Sequence, residues 1–172
     1  MKIILLTEAV AVAVYMTAWY MAARALSRFD VADIAWGPGF IIAAGTAAAV
    51  SEHIHARAYL VMALVAVWGV RLSLHVSLRN RGKPEDARYR AWRREWGNYA
   101  DIRAFFQVFL LQGFLLLVVA MPVILVITSG TKPLSLLDAA GVLVWITGFL
   151  FEAAADWQLF RFKRDPANRG KF

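Results

Sequence analysis

The chain contains no cysteine and little charge for its length. Of its 172 residues, 18% are charged, 5 are proline and 60% are hydrophobic. The missing cysteines exclude a disulfide scaffold and a cysteine-ligated zinc site. The high apolar content excludes a disordered chain. The composition therefore predicts an all-α integral membrane protein that crosses the bilayer several times and is surrounded by membrane lipids.

Five stretches approach the roughly 20 apolar residues that a helix needs to cross a bilayer core. They are Ile3 to Ala23, Ile34 to Val50, Ala58 to Leu78, Ala104 to Thr128 and Leu136 to Trp157. The first is too long for a cleaved signal peptide and has arginines after it, which indicates a retained anchor. We predict one transmembrane domain, residues 1–172, built as a bundle of about five membrane helices.

The basic residues are divided unequally between the two sides of these spans. One side holds three of them and the other holds 15, with Arg71 inside the third span. The three are Lys2, Arg57 and Lys132. The 15 are Arg24, Arg28, Arg79, Arg81, Lys83, Arg88, Arg90, Arg93, Arg94, Arg103, Arg161, Lys163, Arg164, Arg169 and Lys171. Cytoplasmic segments of membrane proteins are enriched in Lys and Arg, so we predict an outside N-terminus and a cytoplasmic C-terminus.

This unequal distribution of basic residues also explains the net charge of +7. A positive-inside bias needs no nucleic acid as a partner, and none is predicted. The membrane itself is expected to be a bacterial inner membrane or the endoplasmic reticulum. The oligomeric state stays open.

Ionisable residues inside the spans gather toward the cytoplasmic side. Arg71 and His75 lie four residues apart on the third span, and Glu152 and Asp156 lie four apart on the fifth, so each pair shares a helix face. One interpretation is a buried structural ion pair between Arg71 and an acidic residue. The other is a polar cavity that opens to the cytoplasm, because more groups gather there than one ion pair requires.

Further polar features fall in the same layer. Asp33 and Trp36 lie near the cytoplasmic start of the second span, and Gln107 lies on the fourth. The residues 37–39, Gly-Pro-Gly, predict an irregular break in the second helix, which a membrane tolerates only where protein or water covers it. His75 has no second ligand at metal spacing, so no metal site is predicted.

The third connection combines arginines with aromatic residues. Residues 86 to 97 fit an interfacial helix that needs no other function, and Arg93 and Arg94 are assigned there to the lipid interface. The turn from Asn80 to Pro84 differs, because Arg81 and Lys83 offer positive charge to a phosphate group. We call residues 80–84 the basic turn.

Four segments resemble a known family: DIAWGPGF, SLRNRGKPEDARY, FFQVFLLQG and GFLFEAAADWQLFRFKRDPANRGK. They are similar to a family of membrane proteins of unknown function allied to the steroid 5α-reductases. The resemblance covers nearly the whole chain. It implies a multi-pass helical reductase that binds NADPH in a cytoplasm-facing cavity and transfers hydride to an activated double bond of a hydrophobic small-molecule substrate.

The resemblance also implies which residues contact NADPH. Asn80, Arg81 and Lys83 correspond to the family's basic turn, with Arg71 in the same cavity. On the last span and its tail the corresponding residues are Glu152, Asp156, Lys163 and Asn168, and Glu152 replaces an asparagine of the steroid enzymes. The candidates for a catalytic proton donor are His75 and Tyr99, with Asp33 a weaker one.

Two departures limit what the resemblance implies. Trp36 and Gly69 stand where the steroid enzymes have a substrate-polarising glutamate and tyrosine, so steroid reduction is not carried over. Family members also continue into an RHPNYFGE-like segment and two more helices, so we expect residues 1–172 to be the N-terminal two-thirds of such a fold, or a truncated and inactive form. The alternatives are a methyltransferase of the isoprenylcysteine carboxyl type and a non-catalytic lipid-binding or assembly protein.

Overall fold

The computed structural model describes residues 2–129 and 133–168. These residues contain no β-strand, and most of them lie in helices. The α-helices are α1 (Lys2–Ala25), α2 (Ala32–Ala49), α3 (Ala56–Asn80), α4 (Ala87–Trp96), α5 (Ala100–Arg103), α6 (Leu111–Thr128) and α7 (Leu136–Arg164). A π-helical segment, Ala104–Leu110, joins α5 to α6. The predicted all-α fold is confirmed.

Five helical segments are long and apolar enough to cross a membrane. They overlap the five predicted spans, but the fourth segment begins at Ala87 instead of Ala104, and the fifth continues to Arg164. The spacing of Ser135 and Asp138 is that of a capping box at the start of α7, and the box is present, with each side chain bonded to the other residue's backbone. The side of the membrane on which each terminus lies stays a prediction, and Lys132, Arg169 and Lys171 lie outside the described residues.

The chain divides into two compact units, residues 1–132 and 133–172. In the first unit α2 packs against α1, α3 and α6. Its alanines supply much of the buried core, since small side chains let neighbouring helices approach closely. Residues of the other helices complete this core, among them Met16, Phe109 and Leu116. In the second unit α7 is a single long helix.

The predicted break in the second helix is wrong, because α2 continues through Pro38. A proline has no amide proton to donate to the carbonyl four residues earlier, which here belongs to Ile34. That carbonyl accepts a hydrogen bond from the Ser73 hydroxyl of α3 at 3.0 Å. The next carbonyl, of Ala35, accepts one from the Tyr15 hydroxyl of α1 at 2.7 Å. Side chains of two neighbouring helices therefore satisfy the backbone that the proline disturbs.

Candidate functional site

The connections α1–α2 and α3–α4 meet at one end of the first unit, which we call the polar end. Arg28 donates two hydrogen bonds to the Asp30 carboxylate, each 2.7 Å long. The same carboxylate accepts from the backbone amide of Asp86 at 3.0 Å, and Arg28 also donates to the carbonyl of Lys83 at 3.3 Å. Asp30 is 1% exposed. A buried ion pair thus ties the α1–α2 connection to the basic turn and the residues that follow it.

Glu85 makes a second link between the same two connections. Its carboxylate accepts a hydrogen bond from the backbone amide of Phe29 and pairs with Arg93 at 3.1 Å. The Arg93 guanidinium also lies 3.8 Å from the centre of the Phe29 ring and donates to the carbonyl of Ser27 at 3.3 Å. The charge of Arg93 is therefore paired within the protein, while its position at the lipid interface stays a prediction. Arg94 is exposed.

Hydrogen bonds to the side chains of Asp33 and Tyr89 connect α2, α4 and α6. The Tyr89 hydroxyl donates to Asp33 at 2.6 Å and accepts from the Gln112 amide at 3.3 Å. The Gln112 carbonyl oxygen in turn accepts from the Trp36 indole at 3.0 Å. Asp33 also pairs with Arg88 at 3.4 Å. Both Asp33 oxygens act as acceptors here, which argues against Asp33 as a proton donor.

Asp33 and Trp36 were predicted to belong to one polar layer and both take part in this network, but the glutamine predicted with them, Gln107, does not. Gln107 is exposed, whereas Gln112 takes part in the network. Gln107 lies within the π-helical segment, which changes the positions that face inward, and no pattern in the sequence predicts that change. The α4 residue Tyr89, 2% exposed, was also missed. Tyr89 ends the SLRNRGKPEDARY segment that resembles the family, and this was the only sequence feature that pointed to it.

Electrostatic contacts at the polar end keep the paired groups charged. The hydrogen bond from Arg88 holds the pKa of Asp86 below its usual value. The hydrogen bond to Asp30 raises the pKa of Arg28 above its usual value. The positive charge of Arg28 is thus balanced by Asp30. Arg81 and Lys83 on the basic turn are exposed, and the ion pairs found among the described residues include neither of them.

A cavity of about 380 Å³ opens beside these contacts. Its walls are formed by Leu26, Arg28, Asp30, Val31, Ile34, Ser77, Leu78, Asn80 and Arg81. The Asn80 carbonyl oxygen accepts from Arg79, but its buried amide nitrogen has no hydrogen-bond partner in the described part of the chain. The cavity therefore has apolar walls and, at the basic turn, one unused donor and one exposed cation.

A model of the protein family DUF1295, described as a protein of unknown function, matches residues 19–172. The chain belongs to the DUF1295 family. No curated protein and no solved structure matches the chain. The DUF1295 region contains the basic turn, the cavity and the Asp33–Tyr89 network.

The remaining predicted site residues lie on α3, after α4 and on α7. Arg71 and His75 are half-buried on one face of α3, and Glu152 and Asp156 are half-buried on one face of α7. Because α7 belongs to the second unit, the expected meeting of these two faces stays a prediction. Tyr99 is 69% exposed.

Two predicted site residues, Lys163 and Asn168, lie at the C-terminal end of the described residues. Lys163 is exposed in the last turn of α7. Asn168 lies in a short 3₁₀ turn after it and donates to the carbonyl of Phe162 at 3.1 Å. Among the residues that the structure describes, no three His, Asp or Glu side chains are grouped so that they could hold a metal ion.

Proposed function

We propose that this DUF1295 chain is part or all of a membrane-embedded, NADPH-dependent reductase of a hydrophobic, enone-like substrate, allied to the steroid 5α-reductases. The observation that carries the proposal is the basic turn beside the cavity. There the Asn80 amide has no partner, Arg81 is exposed, and Arg28 is already neutralised by Asp30. An anionic ligand would supply the hydrogen-bond acceptors and the negative charge that these donors lack.

The residues of the first unit fit the phosphate groups of a dinucleotide. Arg81 and Lys83 offer charged donors, and the Asn80 amide offers a neutral one. The apolar walls formed by Val31, Ile34 and Leu78 suit an uncharged ring of the same molecule. The volume of about 380 Å³ accommodates only part of a dinucleotide. The NADPH contacts expected of Arg71, Glu152, Asp156, Lys163 and Asn168 stay a prediction.

When bound, NADPH would supply a hydride to the activated double bond of the substrate. The protein would then bind and orient both molecules and provide a proton. Among the candidate donors, His75 lies half-buried within a membrane helix and is preferred to the exposed Tyr99. Tyr89 is a poor donor because its proton is already engaged by Asp33. The substrate would enter from the surrounding lipid, since it is hydrophobic.

A charge contrast tests the proposal. In the purified chain, Arg81→Ala should raise the NADPH dissociation constant about tenfold, equivalent to about 1.4 kcal/mol for the loss of a charge-assisted hydrogen bond. Arg94→Ala removes the same charge from an exposed position of α4 and should leave binding within about twofold. Equal weakening by both variants would reduce the basic turn to general surface charge.

A further inference from the structure

Two carboxylates are enclosed at the polar end, Asp30 on the cavity wall and Glu85 directly after the basic turn. The Asp30 side chain is 2% exposed and the Glu85 side chain is 9% exposed. Negative charge beside an anion site opposes binding by simple Coulomb repulsion. Asp30 and Glu85 therefore do not attract the ligand, and another role must explain their presence.

Both carboxylates hold residues 83–86, which include the end of the basic turn and the two residues after it. Asp30 accepts from the amide of Asp86 and orients Arg28, which donates to the carbonyl of Lys83. Glu85 projects from the segment itself and accepts from the amide of Phe29. The segment from residue 83 to residue 86 is thereby fixed at three points to the connection between α1 and α2.

We infer that Asp30 and Glu85 are positioning residues that hold the basic turn so that Asn80 and Arg81 line the cavity. The inference rests on the proposed function, because it assigns these carboxylates a role in binding the same anionic ligand. The turn needs such support. Residues 81–84 are exposed, and Gly82 adopts a φ of +68°, so few contacts of their own order them. Fixing them before the ligand arrives removes an entropic cost from binding.

Charge and positioning predict opposite results when Glu85 is neutralised. Glu85→Gln leaves Phe29 only a neutral acceptor in place of a carboxylate. It also removes the charge that pairs with Arg93, whose bond to the Ser27 carbonyl is a further link to the α1–α2 connection. If Glu85 acted only through its charge, the variant would bind an anion more tightly. If it positions the turn, the variant binds less tightly. Asp101→Asn is the matched control, because Asp101 forms an exposed ion pair with Arg24 at 3.4 Å and does not touch the turn.

The test measures NADPH affinity of the purified full chain for the wild type, Glu85→Gln and Asp101→Asn. We expect Glu85→Gln to raise the dissociation constant about tenfold, which corresponds to 1.4 kcal/mol. Asp101→Asn should leave it within about twofold or lower it slightly. An unchanged or lower dissociation constant for Glu85→Gln would overturn the inference. Asp30→Asn provides a second variant with the same expectation, so the test does not depend on one variant folding.

A second readout needs no ligand. Limited trypsin digestion should cut the bond after Arg81 several times faster in Glu85→Gln than in wild type or Asp101→Asn, because the released turn fits a protease better. Unchanged cleavage in both Glu85→Gln and Asp30→Asn would overturn the positioning role. If wild type binds no NADPH while cleavage still accelerates in the variants, the proposed function fails but the hold on the turn stands.

Discussion

The backbones of α2 and α3 touch at Gly37 and Gly69, so an added methyl group at Gly37 should separate the two helices. A β-carbon built at Gly37 would lie 2.0 Å from the carbonyl oxygen of Gly69 and 2.6 Å from the hydroxyl of Ser73. Both atoms belong to α3, and the first is backbone that cannot rotate away. Gly37→Ala therefore requires the helices to move apart.

The size of the effect follows from these distances. Moving that carbonyl from 2.0 Å to 3.4 Å, where ordinary contact begins, requires a shift of 1.4 Å. The same shift would lengthen the 3.0 Å bond from Ser73 to the carbonyl of Ile34 beyond hydrogen-bond range. Overpacking costs about 1 to 3 kcal/mol, and an unsatisfied buried carbonyl costs a similar amount. Subtracting a helix-propensity gain of up to about 1 kcal/mol leaves a destabilisation of about 1 to 5 kcal/mol.

The assay is thermal unfolding of the purified chain in one detergent. At about 2 to 4 °C per kcal/mol for a chain of this size, a destabilisation of about 3 kcal/mol should lower the unfolding midpoint of Gly37→Ala by about 6 to 12 °C. Gly45→Ala is the control in the same helix, because nothing lies within 4 Å of a β-carbon there. Its midpoint should stay the same or rise. Equal midpoints for the two variants would refute the close contact of α2 with α3.

Three further predictions concern other parts of the chain. Glu8 is 1% exposed and both of its carboxylate oxygens lack a hydrogen-bond partner in the described structure. Glu8→Met should thus raise the unfolding midpoint by several degrees, for about 1 to 3 kcal/mol, and a lower midpoint would mean that Glu8 has a stabilising partner. Ser73→Ala should lower the midpoint by a comparable amount because the Ile34 carbonyl loses its donor, whereas an unchanged midpoint would show that the backbone at Pro38 needs no cap. Because the chain has no native cysteine, Lys83→Cys and Glu52→Cys should be labelled by an impermeant maleimide from opposite faces of sealed vesicles, and labelling from one face would contradict the topology.

The number of membrane helices was predictable from the sequence because it depends on apolar length alone, whereas the polar extensions of the fourth and fifth helices were not. The start of α7 was equally predictable, since the spacing of Ser135 and Asp138 determines a capping box within one turn. The continuity of α2 was not. Whether a proline breaks a membrane helix depends on which side chains can reach the freed carbonyls, and here the donors Ser73 and Tyr15 come from other helices.

The candidate site was predictable in its residue types but not in its pairing. Charge depth identified Asp33, and the turn motif identified Arg81. The pairing of Arg93 was not predictable from local sequence, because its partner Glu85 lies eight residues earlier and its aromatic contact is with Phe29 on another connection. Contacts of this kind depend on how helices are arranged in space, which one sequence does not encode in any local pattern.

Binding of NADPH tests the central claim most directly. The unfolding midpoint of the purified wild-type chain should be measured with NADPH and, in parallel, with S-adenosylmethionine. A ligand present at a hundred times its dissociation constant stabilises by about 2.7 kcal/mol, which predicts a rise of about 5 to 11 °C with NADPH and none with S-adenosylmethionine. A rise with S-adenosylmethionine alone would indicate a methyltransferase. No rise with NADPH would contradict the proposal that this chain binds the cofactor of a reductase.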